Sequence, residues 1–513
     1  MAQTELLIDG TNLDLENVWQ VAWEGRPAVM SGDARNKVSA SRAVIEEFLR
    51  RGEAIYGVNT GFGAFSSVRI SDAELEQLQR NLVRSHSVGV GESFTEPEVR
   101  AILLLRANTL ARGHSGVRPA VIDKLLEFLE RGIIPVVPQQ GSVGASGDLA
   151  PLAHVALALI GEGEVIMAGR RQAAAEALSA AGVAPLTLQA KEGLALINGC
   201  QVMTGVGLLN AYEARRLCLL TDVAGAMTFE AMRGSRRAFD PDISLVRPHP
   251  GEAKTARNLL RILGDQSPIG KSHEFCGRVQ DAYSLRCMPQ VHGASKDAFT
   301  YVLRVLETEA NSSTDNPLVF ETERKVVSCG NFHGEPVAIA LDFLAIALSA
   351  MASISECRIE KLINPATSEL PAFLARNGGL NSGMMMVQVT AAALVSENKI
   401  LSHPASVDSI PTSADKEDHV SMGTIAARKL GQVVRNAENV IAMEVLCAAQ
   451  ALDFLKPLAP ASGVLATYET VRRRVPFAAE DRAFHADIEE VRRMIRSNEL
   501  LSAVTSVTGA LEI

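Results

Sequence analysis

The sequence predicts a mainly α-helical protein, a bundle of long helices with a smaller mixed α/β region at the N-terminus. Three observations carry that expectation. Apolar residues recur at helical spacing over four long stretches, about 201–233, 335–363, 382–402 and 423–455, lengths that suit stacked bundle helices. Strand signals are confined to short runs at 5–8, 28–30 and 164–167. Strands and helices never alternate in the rhythm a parallel sheet requires. Residues 1–110 are expected to form the mixed N-terminal region, and 111–513 the helical region with its central bundle.

The elements follow from local chemistry. Ser71 with Glu74 has the form of a capping box ahead of Leu75, Leu78 and Leu82, which share one helical face. Thr95 with Glu98 repeats the device before Val99, Ile102, Leu103 and Leu105. A helix is expected over about 120–131, closed by Gly132, with Pro135 and Pro138 blocking its continuation. The run 337–355 (VAIALDFLAIALSAMASIS) is almost wholly apolar and near the length that spans a bilayer. Asp342 interrupts it, at a cost of about 3 kcal/mol at a bilayer centre, and no excess of Lys or Arg flanks it. A helix buried in a large soluble bundle is the better reading.

Composition narrows the function. With 50 Lys plus Arg against 59 Asp plus Glu the net charge is -9, which offers no electrostatic footprint for nucleic acid or an anionic membrane. A small molecule is the expected partner. The seven cysteines are scattered and never form a CxxC pair, so neither a disulfide framework nor a zinc site is indicated. Residues 1–14 lack a basic start followed by an apolar run, and a cytoplasmic location is expected.

Four segments break the helical rhythm: 56–63 (YGVNTGFG), 139–148 (QQGSVGASGD), 283–290 (YSLRCMPQ) and 403–419 (HPASVDSIPTSADKEDH). Loops on a rigid frame are where catalytic groups tend to sit. The segment 141–148 (GSVGASGD) places three glycines in eight positions before the apolar stretch 149–160. A phosphate loop would need Lys and then Ser or Thr after its last glycine; here Asp148 follows Gly147, and its charge repels phosphate. An ordinary tight turn is the plain alternative. The chemistry allows more. The Gly147 nitrogen can attack the Ala145 carbonyl, and loss of water, including the Ser146 hydroxyl, leaves a methylidene-imidazolone (MIO), an electron-poor alkene made without an external cofactor.

With GSVGASGDLAPLAH the sequence resembles the aromatic amino-acid ammonia-lyases, which comprise histidine, phenylalanine and tyrosine lyases and related aminomutases. The likeness runs from about residue 5 to about 463. It implies a fumarase/aspartase-like architecture, MIO formed from Ala145, Ser146 and Gly147, and a homotetramer with shared active sites. In YGVNTGFG it makes Tyr56 the residue that takes the substrate's β proton. In YSLRCMPQ it makes Tyr283 an active-site hydroxyl and Arg286 the grip on the substrate carboxylate, a role that suits a planar, permanently charged fork. LALINGCQ and GNFHGEP supply Asn198 and Phe332 beside the substrate and prosthetic group, and Gln280 matches a polar active-site position. No metal is called for.

Two residues bear on the substrate. His86 in NLVRSHSVGVG and Glu417 in PTSADKEDHVSM resemble the histidine-specific members. An imidazole brings polar nitrogens that a closed pocket must match, and a carboxylate is a natural partner; against a phenyl ring Glu417 would be a desolvated charge without a mate. The resemblance therefore implies L-histidine as substrate, with trans-urocanate and ammonia as products. His114, Cys200, His292, Asp415 and Lys416 depart from the histidine-specific pattern and leave a tyrosine or phenylalanine lyase, or a 2,3-aminomutase, as alternatives. A non-catalytic helical scaffold gives no reason for these motifs to occur together.

Overall fold

The computed structural model describes residues 4–61, 65, 68–274, 277 and 279–513. The protein is mainly α-helical, as the sequence predicts. Its long helices are Gln201–Ala231, Met288–Ala310, Glu335–Ile363 and Gly423–Asp453, with Met385–Leu401 somewhat shorter. The short strands Leu6–Ile8 and Ala28–Met30 pair in parallel with Leu6 opposite Ala28, the helix Leu15–Trp23 making the crossover. Glu164–Met167 pairs antiparallel with Arg170–Ala173 and with Ile134–Pro135.

The chain divides into two compact units. The first comprises Met1–Tyr212, Val302–Asp342 and Pro404–Arg428. Its centre is the helix Glu96–Ala111, in which every residue from Val99 to Ala111 is buried. The helix opens on the capping box foreseen in the sequence, the Glu98 carboxylate accepting from the Thr95 amide at 2.7 Å. The matching expectation at Ser71 is corrected. Ser71 donates to the Glu74 carboxylate itself at 2.5 Å, a single 3-10 turn intervenes, and the α-helix begins only at Leu75. Pro119–Arg131 ends as expected on Gly132, whose φ of +62° suits glycine.

The second unit comprises Glu213–Tyr301, Phe343–His403 and Lys429–Ile513. The segment YSLRCMPQ, expected to be a loop, is instead a helical turn, Tyr283–Arg286, leading directly into the helix Met288–Ala310. Two buried ionic groups lie inside this unit. Arg358 grips Glu444 through Nε at 2.5 Å and Nη2 at 2.8 Å, and Thr228 and Ser355 donate to the same carboxylate. Asp222 accepts from Lys296 at 2.5 Å, His292 Nδ1 at 2.9 Å and Asn258 at 2.9 Å.

The apolar run at 337–355 lies in Glu335–Ile363, a helix long and apolar enough to cross a membrane, yet 56% of its most apolar window is already buried against protein. Asp342 is buried and accepts the Ser406 amide at 2.8 Å. Ile339, Phe343 and Ile346, spaced to share one face, stay exposed.

In the second unit backbone meets backbone closely at a pair of glycines. A Cβ on Gly293 would collide with the Glu252 amide, and one on Gly251 with the Gly293 carbonyl. Backbone cannot swing aside as a side-chain tip can, so Gly293→Ala should cost about 3 kcal/mol, the upper part of the range for over-packing. Gly32→Ala, where nothing lies within 4 Å, should be neutral or slightly stabilising. Denaturant unfolding of the two variants checks the contrast.

Candidate active site

The ASG segment is a loop folded against itself. Gly144 pairs with Gly147 in an antiparallel bridge, Ala145 also pairs with Gly147, and Gly147 pairs with Gly199. Two glycines make this possible. Gly147 has φ +74° and no room for a Cβ against Gly199; Gly144 has φ +73°, and a Cβ there would meet the Ser421 hydroxyl. Ala145 is 6% exposed and packs with Val420 and Met422, while the Val143 carbonyl accepts the Met422 amide at 2.9 Å. The segment Ala145–Gly147 is thus held on both flanks.

Asp148 fixes the loop from beneath. Its side chain is fully buried and accepts four hydrogen bonds: the Val202 and Met203 amides at 3.0 Å each, the Ser142 hydroxyl at 3.2 Å, and the Thr424 hydroxyl. The Asp148 amide donates to Gly199 O at 2.7 Å. Although Asp148 stands at the start of the helix Leu149–Leu159, its carboxylate serves the unpaired amides that open Gln201–Ala231. Burial pushes its pKa up to about 6 against the pull of those bonds.

Arg106, buried at the middle of Glu96–Ala111, holds the neighbouring turn. Its Nη1 donates to Asn198 O at 3.0 Å and Gln201 Oε1 at 2.6 Å, and its Nη2 to Ala195 O. Asn198, so oriented, donates Nδ2 to Ser146 O at 3.1 Å, leaving its Oδ1 buried without a hydrogen-bond partner among the described residues.

Glu417 reaches the same serine from 271 residues away: Ser146 Oγ donates to Glu417 Oε1 at 2.8 Å. The other oxygen accepts from Thr412 Oγ at 3.0 Å and Ser413 Oγ at 2.8 Å. A bridge between Thr412 and Glu417 closes this small loop, and Ser413, Ala414 and Asp415 turn it with φ of +53° to +60°. His86 ends the helix Leu75–His86, with Nδ1 2.9 Å from Leu82 O. That bond assigns the proton to Nδ1 and leaves Nε2 as an acceptor. Burial lowers its pKa, opposed by the Leu82 bond and by the charge of Glu417.

Of the residues named from the sequence, the first unit brings together Ala145, Ser146, Gly147, Asn198 and Glu417, with His86 close enough to feel the Glu417 charge. Phe332 is half-buried, and its carbonyl accepts from Cys200 Sγ at 3.1 Å. Tyr56 is half-buried in a turn whose next four residues are buried; Phe62 and Gly63 of its motif lie outside the described residues. The second unit pairs Arg286 with Tyr283, the guanidinium 4.7 Å from the ring centroid. Tyr283 is 72% exposed, Arg286 Nε is buried with no hydrogen bond among the described residues, and Gln280 is exposed.

Sequence reasoning passed over Asp148, Arg106 and Glu309 as parts of the site. Glu309 lies near Cys200 and Asp148, and burial pushes its pKa up to about 7. The departures noted in the sequence acquire structural places. His114 Nδ1 bonds Val319 O at 3.0 Å, His292 belongs to the buried Asp222 group, and Asp415 and Lys416 are exposed.

The model for the family described as aromatic amino acid lyase matches residues 13–473. The chain belongs to that family. It is a carbon–nitrogen lyase. It is 53% identical over 509 residues to the histidine ammonia-lyase of Myxococcus xanthus, covering 99% of this chain and 100% of the relative. The solved histidine ammonia-lyase of Trypanosoma cruzi superposes with a TM-score of 0.92 at 44% identity, covering 98% of this chain and 96% of that one. The tyrosine aminomutase of Streptomyces globisporus superposes at 0.94 with 39% identity, covering 99% and 100%. Likeness of fold therefore does not separate the lyase outcome from the mutase outcome; likeness of sequence favours the former.

A carboxyl whose folded pKa is raised above its unfolded value destabilises the fold as it ionises. For Glu309 that loss develops as pH rises from about 4.5 to about 7 and is complete above. Glu309→Gln should remove this decline, becoming more stable than the wild type at pH 8 and showing a flatter profile across the window. Denaturant midpoints measured at several pH values test this.

Proposed function

We propose that this lyase eliminates ammonia from L-histidine to give trans-urocanate, using MIO formed by its own Ala145, Ser146 and Gly147. The observation that carries the reading is the bond from Ser146 Oγ to Glu417, because it puts a carboxylate at the hydroxyl that leaves as a second water when the alkene forms, ring closure itself having expelled the Ala145 carbonyl oxygen. Glu417 Oε1 then lacks a donor. An imidazole N–H supplies one, and a phenyl ring does not. His86, with Nε2 free to accept, offers the complementary partner for a polar ring.

The residues present fit the prosthetic group. Glycine at 144 and 147 permits the compact turn, Ala145 is enclosed, and Asn198 Nδ2 already donates to the Ser146 carbonyl. The group supplies an electron-poor alkene that accepts the substrate's amino group. Asn198 draws electrons through the carbonyl conjugated with that alkene, and its unpartnered Oδ1 remains to receive an ammonium proton. Tyr56 takes the β proton, which requires its hydroxyl to ionise more readily than free tyrosine. Arg286 holds the substrate carboxylate, with Tyr283 and Gln280 beside it, and Phe332 packs against the prosthetic group. We further propose a cytoplasmic homotetramer whose pockets draw on more than one subunit. The exposed apolar face of Ile339, Phe343 and Ile346 supports the assembly.

Intact mass spectrometry of active protein should show dehydration within 141–148, and Ser146→Ala should lose both the near-ultraviolet absorbance and nearly all turnover. Full activity of that variant refutes the chemistry. Offered histidine, tyrosine and phenylalanine in parallel, the enzyme should form urocanate and no β-amino acid. Glu417→Gln should lower kcat/KM for histidine by about 10- to 100-fold, the worth of one charge-assisted hydrogen bond. Mixing inactive Tyr56→Phe and Arg286→Ala subunits should restore part of the activity if pockets are shared; no recovery overturns the shared site.

A further inference from the structure

Outside the proposed chemistry, His333, Glu335 and His419 place three metal-ligating atoms within 4.8 Å of one another. All three residues belong to the first unit. The imidazoles of His333 and His419 lie parallel, 5° between planes and 5.7 Å between centroids. Glu335 Oε2 stands 3.9 Å from His419 Nε2, and it is a buried carboxylate oxygen with no hydrogen-bond partner among the described residues. Burying such an oxygen without a donor or a cation is costly. As an acid in the first turn of Glu335–Ile363, Glu335 gains from the helix dipole, but that gain does not explain why ligand atoms of two imidazoles and this carboxylate cluster within 4.8 Å.

We propose that His333, Glu335 and His419 form a binding site for a divalent transition-metal ion, zinc in the first instance. Two imidazoles and one carboxylate are a donor set that zinc accepts, with water as the fourth ligand. Donors about 2.0–2.1 Å from a tetrahedral ion lie about 3.4 Å from each other, so the cluster must close by about 1.4 Å. The side chains have that freedom: His419 is 67% exposed and Glu335 29%. His333 gives up little, since both of its contacts, to His419 O and from the Glu335 amide, are 3.3 Å long.

The position of the site gives the ion a consequence. His333 adjoins Phe332, and His419 stands two residues beyond Glu417. A bound ion would tie the segment 404–422, which carries Glu417, to the start of Glu335–Ile363. The inference needs no step of the proposed reaction and stands or falls separately from it.

Metal-stripped protein titrated with zinc sulfate against a chromophoric chelator should bind one zinc per chain. His419→Ala, His333→Ala and Glu335→Gln should each weaken binding by about tenfold or more. Cys357→Ser, which removes an exposed thiol elsewhere, should leave it unchanged. Cobalt in place of zinc should give the intense visible bands of a four-coordinate site in the wild type and lose them in His419→Ala. Zinc should also slow amide exchange across 404–422 in the wild type and not in that variant. His419 is exposed, so an unchanged melting temperature of His419→Ala should accompany the lost binding. Absence of stoichiometric binding, or binding indifferent to His419→Ala, overturns the site.

Discussion

The site depends on a single buried carboxylate. Asp148 takes the two amides that open Gln201–Ala231, the hydroxyl of Ser142 within the glycine loop, and the hydroxyl of Thr424 at the start of Gly423–Asp453. One side chain thereby ties the glycine loop to the first turns of two long helices. The arrangement has a cost, visible in the rise of the Asp148 pKa to about 6. Four donors offset most of the desolvation, and the positive end of a 31-residue helix contributes in the same sense. Removing any one donor would leave the carboxylate less well matched, which makes the group an all-or-none anchor.

Rigidity at the loop is useful because the expected ring closure is a reaction between backbone atoms two residues apart. A flexible glycine-rich peptide would sample that geometry rarely. Here the choice is made in advance by steric exclusion at Gly144 and Gly147 and by hydrogen bonds on either side. Arg106 extends the scheme one layer outward, since the turn it holds carries Asn198, and Asn198 touches the Ser146 carbonyl. Its guanidinium is fully buried, and burial brings its pKa down to about 10, still far above neutrality. It therefore remains a charged donor near neutral pH. In the second unit the Arg358–Glu444 pair plays a comparable part among helices, with every carboxylate oxygen satisfied. Such pairs contribute less to net stability than to fixing one arrangement, because either partner alone would be a stranded charge.

Much of this was legible in the sequence where the signal was local. Helical periodicity placed Gln201–Ala231, Glu335–Ile363 and Gly423–Asp453 to within a few residues, and the short apolar runs placed Leu6–Ile8, Ala28–Met30 and Glu164–Met167 but not strands such as Val90–Ser93 or Leu318–Phe320. Local signals also misled. Ser71 and Glu74 have the right spacing for a capping box but bond to each other, and YSLRCMPQ interrupts apolar periodicity although its residues are mostly helical. What the sequence concealed were partners far apart along the chain. Asp148 was read only as a charge unsuited to phosphate, because Val202, Met203 and Thr424 stand 54, 55 and 276 residues away. Arg106 looked like one more residue in an apolar helix. Nothing in its neighbours announces that its guanidinium ends at Asn198.

The departures around Glu417 show how position decides what a substitution means. Asp415 and Lys416 break the expected pattern immediately before the residue proposed to meet the substrate's ring, yet both are exposed in a turn. The side chains that orient Glu417 are Thr412 and Ser413, which hold one carboxylate oxygen and aim the other at Ser146. Charge at 415 and 416 is screened by water and acts on the pocket weakly. The serine and threonine hydroxyls act at hydrogen-bond distance on one oxygen of that carboxylate. The orientation of Glu417 toward Ser146 therefore rests on the two hydroxyls behind it rather than on the pair of unusual residues beside it.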